Sequence, residues 1–130
     1  MSHNIPSELA SAINQRVIGY LQDKSAHGDV VEALQISVKP LGDVRIFCPN
    51  RQSDRYVIAS TKGVVFACAM GMNTIGVRLD ERMKSRALAS GGRQFAEAGD
   101  AWAAFTLFRN DWSEPDLKFW ARKGYEAARR

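Results

Sequence analysis

The sequence predicts an α+β domain: an antiparallel sheet of four to five strands, with an N-terminal, a middle and a C-terminal helix packed on it. Three observations lead there. Apolar residues recur at three-to-four spacing near both ends of the chain. Between Val44 and Leu79 the pattern changes to short β-branched and aromatic runs, split by glycine or asparagine turns. Strands grouped together, with helices around them, favour an antiparallel sheet covered by helices on one face. The chain has 130 residues, which suits one domain. That domain is placed at residues 5–130, with residues 1–4 expected to be disordered.

The first helix is read over Pro6 to Ser25. Proline near its start suits the first turn, and Leu9, Ile13, Val17, Tyr20 and Leu21 form one stripe. His27-Gly28-Asp29 is expected to end it, with His27 favourable at a helix C-terminus. Val30 to Ile36 is ambiguous, with room for a short helical turn. Lys39 to Asp43 is a turn. Four strands follow, at Val44–Pro49, Arg55–Ser60, Val64–Met70 and Ile75–Leu79, with a polar loop from Asn50 to Asp54. Their spacing is that of an antiparallel meander.

Asp80 is the expected N-cap of a middle helix ending near Ser90, and Gly91-Gly92 is its stop. A fifth strand is read at Trp102–Phe108. For the last helix, Ser113 is the expected N-cap, with Asp116 in a capping box and Trp112 and Leu117 as a hydrophobic staple. Leu117, Trp120, Ala121, Gly124 and Ala128 form its inner stripe.

The stretch Phe66-Ala-Cys-Ala-Met-Gly-Met72 places sulfur at every second residue. Strict alternation sets Val64, Phe66, Cys68 and Met70 on one face and Val65, Ala67 and Ala69 on the other. Both sets are apolar, so this run is read as a central strand covered on both sides. Same-face neighbours stand roughly 7 Å apart on a strand, too far for three sulfurs to meet on one copper(I) ion. Core packing is the better reading.

Other chemistry has little support. His3 and His27 are the only histidines, and no Cys-x-x-Cys or His-x-x-x-His occurs, so no metal site or cofactor is expected. Gly-x-Ser-x-Gly is absent. Cys68 reads as buried and inert, and Cys48 as a free thiol. Asp80-Glu81, Asp111, Glu114 and Asp116 read as helix-start carboxylates. Ser90-Gly-Gly-Arg93 resembles a phosphate nest but is explained by a helix stop. No catalytic constellation is found, and the expectation is a non-enzyme.

The charge pattern is more informative. Eighteen basic residues against fourteen acidic ones give +4. Arg78, Arg82, Lys84, Arg86 and Arg93 cluster in the chain, and Lys118, Arg122, Lys123, Arg129 and Arg130 lie on the last helix. Side by side, the two sets would suit phosphate backbones; otherwise they are solvated helix faces. Trp102, Trp112 and Trp120 read as core and staple residues. There is no membrane-length apolar run and no secretory pattern at the start, so the cytoplasm is the expected compartment.

The segments KGVVFACA, IGVRLDERMKSRAL, AGDAWAAFTL and SEPDLKFWARKGYEAAR carry a resemblance. From about residue 62 to 129 the chain resembles the MmcQ/YjbR-like family, which is related in shape to the N-terminal domain of TfoX. The resemblance implies an α+β domain with a curved antiparallel sheet, often described as DNA-binding-like. It carries over no catalytic residue. Arg78, where the family usually has lysine, and Trp102 occupy matching positions. The expected function is a binding domain for DNA or another polyanion, contacted by Arg78, Arg82, Lys84, Arg86, Arg93, Lys118 and Arg122. The alternative is a protein-interaction module forming a homodimer through the edge strand at Val44–Pro49, without nucleic-acid contact. A small-ligand pocket between sheet and helices is a third, weaker expectation.

Overall fold

The computed structural model describes residues 5–49, 55–108 and 115–130. A 3-10 turn at Ser7–Leu9 leads into α1 (Ala12–Leu21) and α2 (Gly28–Val38). The strands β1 (Arg45–Phe47), β2 (Val57–Thr61), β3 (Val64–Met70) and β4 (Thr74–Arg78) follow. Then come α3 (Glu81–Ala89), β5 (Arg93–Gln94), β6 (Trp102–Thr106) and α4 (Leu117–Ala128). The six strands form one antiparallel sheet in the order β1-β2-β3-β4-β6-β5. The α+β class and the meander are as the sequence predicts. The sixth strand, β5, is only two residues long, too short for a periodic signal.

Helices cover both faces of the sheet, not one. On one face α2, α3 and α4 bury Val57, Ala59, Ile75, Val77, Ala103 and Phe105. On the other, α1 and the 3-10 turn bury Tyr56, Ile58, Val65, Cys68 and Met70. The helix expected over Pro6–Ser25 is instead a 3-10 turn and a shorter α1 that ends at Leu21, and these two supply the second cover. The ambiguous segment after it is a full helix starting at Gly28, with His27 as its N-cap, accepting the Asp29 amide at Nδ1 over 3.1 Å. His27 therefore begins a helix and does not end one. The connection between α1 and α2 passes the end of the sheet, held there by Gly71 N–H to Ser25 O (2.6 Å) and His27 N–H to Gly71 O (2.8 Å).

Strict alternation also fails within β3. Ala59 pairs with Ala67, but Ser60 pairs with Val65, so Phe66 is an extra residue on β3. Such a bulge resets which side chains share a face. Val64, Phe66, Ala67 and Ala69 join the three-helix core. Val65, Cys68 and Met70 join the α1 core. The central, doubly covered strand is as expected, but Phe66 and the sulfurs lie on opposite sides. Cys68 is fully buried, and desolvation pushes its thiol up to about 12. Met72 stands out in the β3–β4 turn, exposed.

Asn14 ties α1 to this irregular hairpin. Its Nδ2 donates to Leu9 O (3.1 Å) and Gly63 O (2.8 Å), and its Oδ1 accepts from the Val65 amide (2.9 Å). The helix thus turns Asn14 inward and leaves Ile13, expected in the core stripe, exposed. Opposite, α4 lies close on the sheet through Gly124. A Cβ there would stand 2.6 Å from Val77 Cγ1 and 2.9 Å from Arg78 O, so only glycine permits this approach. The cap of α4 is Asp116, whose carboxylate accepts the Phe119 amide at 3.2 Å. Ser113 and Trp112, the expected cap and staple, lie outside the described residues, as do the Asn50–Asp54 loop and the N-terminal four residues.

Candidate functional site

The sheet face covered by α2, α3 and α4 sets where the cations stand. In α3, Met83 and Ala87 point to the sheet, which leaves Arg82 and Arg86 one turn apart on one flank and Lys84 and Leu88 on the other. In α4, Trp120, Ala121, Gly124 and Ala128 point inward. Phe119, Lys123 and Arg130 then share one flank, and Lys118, Arg122 and Tyr125 the other.

Side-chain contacts show which flanks meet. The Arg86 guanidinium lies 5.8 Å from the centre of the Phe119 ring, and the Lys123 ammonium 5.5 Å from the same ring. Arg130, just past α4, pairs with Asp80, the N-cap of α3, at 2.7 Å. The two helices therefore run antiparallel, side by side. Asp80 also accepts the Met83 amide at 2.8 Å. That amide, and then the Arg130 bond, hold its carboxyl below the usual range. The seam gathers Arg82, Arg86, Lys123 and Arg130 against Asp80 and Glu126, the latter 3.4 Å from Lys123.

The other predicted residues are dispersed. Lys84 faces away from the seam and donates to the Asp100 carbonyl. Lys118 and Arg122 share the flank of α4 whose Tyr125 hydroxyl donates to Gly42 O at 2.6 Å; Arg122 borders a groove with Pro40 and Leu41. Arg78 stands opposite Trp102, and Arg93 opposite Ala104. Both partners belong to the α1 core, so Arg78 and Arg93 lie on the far face of the sheet. Of the seven, only Arg82 and Arg86 reach the seam. Lys123 and Arg130 complete it. Their four- and eleven-residue spacing from Phe119 was a usable signal for one shared flank.

Phe119 is no free stacking platform. Its ring meets both cations and packs edge-on against Trp120, with centres 4.9 Å apart. Trp120 in turn stacks on Phe105. Trp102 and Trp120 are both core residues, on opposite faces. The Ser90–Arg93 loop is a helix stop: Gly91 has φ +102° and the Gly92 amide donates to Ala87 O at 2.9 Å. Among the described residues, no three His, Cys, Asp or Glu side chains are grouped to hold a metal, and no helix is long and apolar enough to cross a membrane. No protein-family model, curated protein or solved structure matches this chain.

Proposed function

We propose that this chain is a non-enzymatic binding domain for nucleic acid or another polyanion, which it contacts across the outer surface of α3 and α4. The observation that carries the reading is the seam itself, where Arg86 and Lys123 from two helices meet over one ring. Arg82 extends the surface along α3, and Arg130 along α4. Because the Phe119 ring is already occupied, recognition rests on phosphates rather than on stacked bases. Such binding is nonspecific in sequence and driven by counterion release. With about four phosphates contacted, log affinity is expected to fall against log salt with a slope of about −3.5.

The test is fluorescence anisotropy with labelled duplex and single-stranded DNA at two salt concentrations. Reversing Arg82 and Arg86 to Glu together is expected to abolish binding with the thermal melt intact. Arg93→Glu, on the far face, is expected to leave it unchanged. Binding that survives the double reversal would place the surface elsewhere.

A second reading, a homodimer without nucleic-acid contact, draws on β1. It is an edge strand, and its Ile46 is 40% exposed, a template for pairing with a second copy. Light scattering at twice 14.4 kDa, with no DNA binding at low salt, would favour it.

A further inference from the structure

We propose a second binding site, for a small oxyanion such as a phosphate monoester or a carboxylate. It lies in the cleft between the 3-10 turn, β1 and the β2–β3 turn, remote from the α3–α4 seam. Two adjoining hollows, of about 420 and 380 Å³, meet there and share Glu8, Arg45 and Ser60. Ser60 is the first sign. It is only 3% exposed, follows the apolar run Val57-Ile58-Ala59, and lines both hollows. Among the described residues no hydrogen bond involves its hydroxyl, whereas the next hydroxyl, Thr61 Oγ1, is taken by Arg129 at 2.7 Å. The Ser60 hydroxyl opens onto the cleft and can donate or accept there.

Arg45 is the second sign. It stands directly across from Ser60 in the sheet register. Its side chain is 71% exposed and meets Glu8 at 3.5 Å, well beyond the 2.7–2.9 Å of a formed charge-assisted bond. Most of its donor fork therefore remains open to a planar or tetrahedral oxyanion. The charges around the cleft also favour an anion. Glu8 and Arg45 offset each other, Asp43 is paired with Arg129 at 3.2 Å, and Lys62 remains at the rim.

The walls are fixed in advance. Lys62 and Gly63 turn the chain with φ +51° and +76°. A Cβ at Gly63 would come within 3.0 Å of Glu8 O, so the two turns touch. Asn14 bonds both Leu9 O and Gly63 O, clamping them together. A site that needs no ordering on binding loses little affinity to conformational entropy. An oxyanion would take the Ser60 hydroxyl and the Arg45 fork and displace Glu8. Glu8 is thus a built-in competitor.

The experiment titrates the 130-residue chain with inorganic phosphate and, separately, with acetate, at constant ionic strength. It follows the backbone amide NMR signals of Arg45 and residues 60–63. Saturable shifts with either anion are expected, and the tighter of the two identifies the class. Arg45→Ala is expected to weaken binding by at least about tenfold. Glu8→Gln, which frees the guanidinium, is expected to tighten it severalfold. Ser60→Ala should weaken it while leaving the melt unchanged. The Arg82→Glu, Arg86→Glu double variant should bind as the unmodified chain does, which separates this site from the seam. Shifts with neither anion, or binding indifferent to Arg45→Ala, would overturn the proposal.

Discussion

On one side of the sheet, a ten-residue helix and a single turn cover Tyr56, Ile58, Val65, Cys68 and Met70. On the other, three helices cover a wider apolar surface closed by Trp120 and Ala121. The three-helix side is held by shape. Trp120 stacks on Phe105 with ring centres 5.4 Å apart, and α4 approaches through Gly124. The α1 side is pinned by a polar clamp, Asn14, at the point where the β3 bulge interrupts the ladder. The difference teaches that a regular stretch of sheet needs only apolar cover. An irregular one also needs its displaced backbone groups satisfied, because a buried unpaired amide is costly.

That contrast is open to direct attack. The largest effect is expected from Trp120→Ala, which empties a core position on the shape-held side. It should cost about 4 kcal/mol in denaturant unfolding. A loss under about 1 kcal/mol would mean that this side is not held by close packing. Next is Asn14→Ala, which orphans the Val65 amide and the Gly63 carbonyl. About 3 kcal/mol is expected, with early hydrogen exchange at Val65. If that amide stays protected, another group serves the bulge and the contrast between the faces fails.

The smallest effect is electrostatic and lies at the rim. Asp80 has its folded pKa below its unfolded value. Its contribution is therefore fully present above the unfolded value and is lost as pH falls through the folded one. Acid melts of Asp80→Asn and the unmodified chain should differ at neutral pH and converge as pH falls below the ordinary carboxylate range. Curves that stay parallel throughout would show that the Asp80 contacts with Met83 and Arg130 do not stabilise the helix ends.

Much of this architecture is legible residue by residue. The Val64–Met70 strand has its predicted bounds, and the β4 and β6 runs differ only at their ends. Asp80 caps α3, and Gly91 stops it. These are signals carried by a few neighbouring residues. Where reading failed, the cause was distant. Asn14 is inward because Gly63 and Val65, far along the chain, need it. His27 starts a helix because Gly71 holds the chain at the sheet end. Of the candidate surface, the basic residues were visible, but their sorting into flanks was not. Arg78 and Arg93 went to the far face because the strand register puts them opposite Trp102 and Ala104.

The sequence by itself determined the α+β class, the meander, the bounds of β3 and the cap and stop of α3, since periodicity, caps and turns act over a few residues. Only the tertiary structure decided that both faces are covered, that α3 and α4 share a seam, and that Ser60 faces a cleft beside Arg45. Those outcomes hang on one extra residue in β3 and on contacts between segments remote in the chain. A bulge reverses the face of every residue beyond it, and no local pattern announces where it falls.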